Sequence, residues 1–234
     1  FAFRHALTQQ AIIAALLLRE RQGLHRRLVE TLEQLAISAA TQREGYLEDL
    51  AFHTYEAGLW ESAATYAQAA GEKAMRLYAQ QAAIEHFTRA LAAKRHIAAA
   101  PLAQLYRARG QAHETLGDFG HARDDYECAL EAARAAHDGH EEWESMVALG
   151  FLWTGHDYAQ AGVWLRRACA LAETLADPLL RARSLNRLGN WLQNTGHMQE
   201  AIATHQDALR LFEAQADGPG MAQTLGELGM AHFF

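Results

Sequence analysis

Apolar residues recur every three or four positions along most of the chain, and runs that alternate with a period of two are nearly absent. That pattern predicts amphipathic helices and no sheet. From residue 102 to 117 the spacing fits one helix, Gly117-Asp118-Phe119 supplies a turn, and residues 121–138 fit a second helix. The pair is a helical hairpin. The unit recurs over 141–156 and 158–176, with Gly155 at its turn, and over 178–195 and 197–216, with Gly196 at its turn. A last helix starts near Gly220. Pro101, Pro178 and Pro219 all fall between hairpins, where a fixed φ and a missing N–H are tolerated.

Small residues keep a regular beat. Gly71, Gly110, Gly150, Gly189 and Gly229 are separated by 39, 40, 39 and 40 residues. Ala83, Ala122, Ala161 and Ala201 follow the same period, as do Ala90, Ala129, Ala168 and Ala208. Repetition on this scale marks stacked units that share one continuous core. A glycine inside a helix costs about 1 kcal/mol relative to alanine. It is therefore expected where a partner helix comes close, with Gly110 or Gly189 facing Ala122 or Ala201. Ala129 or Ala208 then touches the following hairpin.

The segments LGNWLQNTGHMQEAIATHQDAL (188–209) and YRARGQAHETLGDFGHARDDYECAL (106–130) resemble tetratricopeptide repeats. FLWTGHDYAQAGVWLRRACAL and AAIEHFTRAL are similar. The resemblance covers residues 45–234 and implies an all-α, right-handed α-solenoid. Its hairpins are extended to 39–40 residues from the usual 34. It also implies a concave groove that takes a protein, a peptide or a small ligand.

Ahead of the array, F-x-F-R-H-A-L followed by R-x-x-L-H-R-R resembles a junction in bacterial signal-transduction ATPases of the STAND class. LEDLAFHTYEAGLWESAATYAQAAGEKA (47–74) resembles the stretch that follows it there. This resemblance implies that residues 1–44 end a preceding winged-helix or ATPase-linked domain. Residues 45–234 are then the repeat array, with its last repeat truncated. An upstream ATPase domain becomes a partner, and a LuxR-type, SARP-type or cyclase effector carries the output. Within 1–44 a short strand is expected at Phe1–Phe3. A helix with Leu7, Ile12, Ala15 and Leu16 on one face comes next, then a second from about Arg21.

Charge and chemistry narrow the function. The net charge is −7, and residues 1–45 carry six Arg against four Glu, so the array itself is acidic and a poor direct partner for nucleic acid. The apolar run Ala11–Leu18 is too short to cross a bilayer. Cys128 and Cys169 are expected as buried, reduced thiols, which fits a cytoplasmic setting, and without a CxxC motif no zinc site of the usual spacing is expected. GxxxxGK[ST], HExxH and GxSxG are all missing, and Lys73 and Lys94 are the only lysines. The chain reads as a non-enzyme without a cofactor. His137, His140, Glu141 and Glu142 read as a solvated linker in preference to a metal site.

The best candidate site lies on the helix 178–195. Arg183, Asn186, Arg187, Asn190, Gln193 and Asn194 are expected to face the groove, with Asn186, Asn190 and Asn194 as an i, i+4, i+8 ladder. Arg107 and Gln111 are expected to join them from another first helix, with Phe151, Gln223 and Met230 nearby. An amide both donates to and accepts from a peptide backbone. Arg181, Arg183 and Arg187 stand in a stretch without an acid, suited to a carboxylate or phosphate. The expected function is a non-catalytic sensor or scaffold. Two alternatives stay open: a merely solvated helix face, and a self-association module whose groove is empty.

Overall fold

In the computed structural model the described residues are 18–38, 43–98 and 101–233. The strand expected at Phe1–Phe3 and the helix expected before Leu18 lie outside them. The described residues form eleven α-helices and one 3₁₀ turn, without strands. The chain divides into two compact units, residues 1–117 and 118–234.

The first unit contains α1 (Leu18–Ser38), the 3₁₀ turn Arg43–Tyr46, α2 (Leu47–Glu56), α3 (Trp60–Arg76), α4 (Gln80–Lys94) and α5 (Ala103–Thr115). α2 packs on α3, α3 on α4 and α4 on α5. The core joins Ala67, Ala83, Phe87, Ala90, Leu91, Leu105 and Ala112. α1 lies against α2, where Nδ1 of His25 and Nδ1 of His53 are 2.8 Å apart. Arg76 and Lys73 of α3 hold the 3₁₀ turn through the Glu44 carboxylate (2.9 Å) and the Glu44 carbonyl (3.0 Å).

The second unit contains α6 (Phe119–Ala135), α7 (Gly139–Thr154), α8 (Tyr158–Thr174), α9 (Pro178–Asn194), α10 (Met198–Ala214) and α11 (Gly218–Phe233). Consecutive helices pack as antiparallel neighbours, and α9 also touches α11. Tyr126, Leu130, Trp143, Met146, Leu149 and Leu180 form the largest cluster. Asp caps start most of these helices. The side chains of Asp138, Asp157 and Asp177 accept from backbone N–H groups at 2.8–3.2 Å, each satisfying donors that a helix start leaves open.

All eight beat alanines are at most 1% exposed. Three of the beat glycines do a different job from the one expected. A Cβ on Gly71 would lie 2.6 Å from the Phe87 ring, on Gly150 2.9 Å from Leu165, and on Gly189 2.6 Å from the His205 ring. Each makes room for a large side chain of the following helix, not for an alanine. The turns also depart from the glycine pattern. Gly196 is left-handed at φ 84°, but so are His137, Ala176 and Ala216 at 53–54°, whereas Gly155 is right-handed at φ −81°.

Candidate ligand-binding face

In the second unit α7, α9 and α11 are the first helices of successive hairpins, and α9 lies between the other two in sequence. Gly189 places the His205 ring against one side of α9. The residues expected in the groove then separate into three groups.

The first group is buried. Asn186 is 4% exposed. Its Nδ2 donates to Thr224 Oγ1 of α11 at 2.7 Å, and its Oδ1 is 3.1 Å from His205 Nδ1 of α10. The Thr224 hydroxyl in turn donates to the Gly220 carbonyl at 2.7 Å. Because Asn186 Nδ2 serves Thr224, its Oδ1 accepts, which makes His205 Nδ1 the donor and Nε2 the bare nitrogen. Nε2 is buried and has no partner. Burial holds His205 below the ordinary imidazole range, an effect that Glu227 partly offsets. The ring is therefore neutral at pH 7.

The Asn ladder is thus not three free amides on an open face. Its first rung is a structural crosslink among α9, α10 and α11. Asn186 points into the seam because Thr224 and His205 converge on it. The signal for this was present in the chain: Ser145, Ser184 and Thr224 each stand five residues before a beat glycine. All three are buried hydroxyls that bond back one turn, at 2.7–2.8 Å. Ser184 is used as Thr224 is, accepting from Trp143 Nε1 at 2.7 Å.

The second group is half-buried. Asn190 Nδ2 donates to Glu227 Oε1 at 3.2 Å, and Asn190 Oδ1 is buried without a partner. Gln193 Oε1 is also buried without a partner.

The third group is exposed: Arg183, Arg187 and Asn194. The Arg187 guanidinium lies 5.2 Å from the centroid of Phe151, a ring that is 55% exposed. Arg183 and Arg187 have no carboxylate partner among the described residues. Arg181 differs, pairing with Glu173 at 3.5 Å.

Gln223 and Met230 are exposed on α11. Arg107 is half-buried and Gln111 exposed on α5, in the other compact unit, so they are not gathered with α9 within one unit.

Trp191 and the 137–142 linker make contacts within the unit. Trp191 fills the space beside Gly162, donates from Nε1 to the Tyr158 carbonyl at 2.7 Å and lies under Arg166 at 4.5 Å. In the 137–142 linker Asp138 caps α7, and Glu142 pairs with Arg134 at 2.7 Å. The thiols are not both buried as expected. Cys128 is exposed, on an outer position of α6, while burial, reinforced by Glu173, pushes the Cys169 thiol up to about 11.

No protein-family profile and no curated protein matches the chain. Solved structures do. The chain is similar to BtubC from P. vanneervenii, at 19% identity and TM-score 0.62, over 86% of this chain and 93% of that one. It is also similar to a signal transduction ATPase with numerous domains from Pyrococcus horikoshii, which carries a tetratricopeptide repeat sensor. There the identity is 13% and the TM-score 0.62, over 91% of this chain and 38% of that one. A third is a Rap protein complexed with competence and sporulation factor, at 12% identity and TM-score 0.60, over 92% of this chain and 70% of that one. At these identities the likeness is one of fold. The chain has the all-α solenoid fold of tetratricopeptide-like repeat arrays. No helix among the described residues is long and apolar enough to cross a membrane.

Proposed function

We propose that the chain is a non-catalytic recognition module, and that the face built by α7, α9 and α11 takes an extended segment of a peptide or protein. The observation that carries this reading is the pair Arg183 and Arg187. These are exposed guanidinium groups on a helix without an acid, one of them over an exposed phenylalanine ring. A guanidinium beside an apolar ring fits a carboxylate-bearing segment by charge and by contact area. The Rap complex with its factor supports the reading by analogy of fold.

The test is selection from a random hexapeptide library, followed by titration of a selected peptide against the Arg183→Gln/Arg187→Gln variant. Affinity is expected to fall at least about tenfold with an unchanged melting temperature, the size of a lost charge-assisted contact. Equal binding by the variant, or no selected peptide, would overturn the reading.

We further propose that residues 1–44 end a preceding domain and that the array biases an upstream STAND-type ATPase. The sequence resemblance and the fold of the P. horikoshii protein support this. Wild-type ATPase and effector output after deletion of residues 45–234 from such a protein would contradict it. A second reading, self-association, is favoured by Leu225 and Met230, which stand 55% and 49% exposed on α11. Light scattering that shows a monomer at high concentration removes it.

A further inference from the structure

Position 187 of α9 reaches back to Phe151 of α7, and forty residues later Glu227 of α11 meets Asn190 of α9 in the corresponding way. The two contacts are equivalent in the repeat and opposite in charge. The first presents a cation. The second presents oxygen: the half-buried Glu227 carboxylate, which no cation of the described residues reaches. The amide orientation of Asn190 is set by its bond to Glu227, since the reversed amide would turn one oxygen on another. No charged group around Glu227 neutralises it: His205 is neutral and Arg187 is engaged on the Phe151 side.

We infer that the Glu227 carboxylate, held by Asn190 Nδ2, forms a subsite for a primary ammonium or guanidinium group. The inference rests on the reading of this face as a peptide-binding surface, and it specifies that peptide. Neighbouring packed helices stand about 8–10 Å apart. An extended segment rises about 3.3 Å per residue. The segment therefore carries an acidic side chain over Arg183 and Arg187 and a basic side chain over Glu227, about three residues apart.

The probe is an array of N-acetylated, C-amidated hexapeptides, whose termini carry no charge. Acid and base are placed at every separation, with acid-only and base-only sets of matched composition. The array is read with the fluorescently labelled 234-residue chain. Peptides with acid and base three residues apart are expected to bind about tenfold better than acid-only peptides, the gain from one charge-assisted contact. Glu227→Gln is expected to erase that gain and to keep the preference for the acid. Its amide oxygen still accepts from Asn190, and an unchanged melting temperature checks the fold. Preference for the acid alone, or a gain that survives Glu227→Gln, overturns the subsite and leaves the peptide-binding reading standing. Retention of no peptide overturns both.

Discussion

Asn186 offers the sharpest test of how the second unit is held together. Asn186→Ala removes two side-chain bonds, to Thr224 Oγ1 at 2.7 Å and to His205 Nδ1 at 3.1 Å. A buried hydrogen bond contributes about 1 kcal/mol net, and a buried donor left without a partner costs about 1–3 kcal/mol. Thr224 keeps its own bond to the Gly220 carbonyl, so it is not orphaned as a donor. The His205 Nδ1–H is, because the ring is fully buried. The expected loss is about 2–4 kcal/mol. Urea unfolding reads it as a lower midpoint at constant slope.

A double-mutant cycle then tests the cause. His205→Phe places a ring where the equivalent register already holds one, since Phe87 packs on Gly71 as His205 packs on Gly189. In the Asn186→Ala/His205→Phe double variant no donor or acceptor of this pair is left unpaired. Its loss should be smaller than the sum of the single losses by at least about 1 kcal/mol. Additivity within about 0.5 kcal/mol, or a cost for Asn186→Ala no larger than that of exposed Asn194→Ala, would refute the crosslink.

Three further outcomes follow from the same contacts. Folding holds His205 below its ordinary value of 6.5, so the stability of its neutral form is fully present above that value and is lost as pH falls through the lowered folded one. His25, His53 and His86 shift the same way, so the urea midpoint should drop below pH 6.5, and less steeply in His205→Phe; an unchanged profile would discard the role of His205. Gly189→Ala puts a methyl 2.6 Å from the His205 ring and should cost about 1–3 kcal/mol. Gly229→Ala meets nothing within 4 Å and should gain up to about 1 kcal/mol, so midpoints that move together contradict the packing account. At pH 8 the exposed Cys128 should react with a disulfide reagent at least about a hundredfold faster than Cys169, whose thiol is pushed up to about 11; equal rates would rule out the burial of Cys169.

Much of the fold was legible in the chain because helix packing repeats. A beat of 39–40 residues located the hairpins, and the alanine columns it marked are the buried seams. What the beat did not reveal was the partner of each glycine. Phe87, Leu165 and His205 fill the same space with three different shapes, and a column of unlike letters leaves no period to notice. Columns of small residues show where backbones are close, and only bulk shows what lies between them. The site was harder for a related reason. Successive residues of a helix differ by about 100° in direction, so Asn186 and Arg187 face different neighbours although both satisfied the groove spacing. Spacing along α9 alone cannot separate a rung in the seam from a rung in the groove. The deciding residues were Thr224 and His205, on two other helices, and their polar atoms claim Asn186. Asn190, one turn further on, stays half-buried and meets Glu227 of α11 at 3.2 Å instead, so two rungs of one ladder end in different surroundings because different side chains stand opposite them.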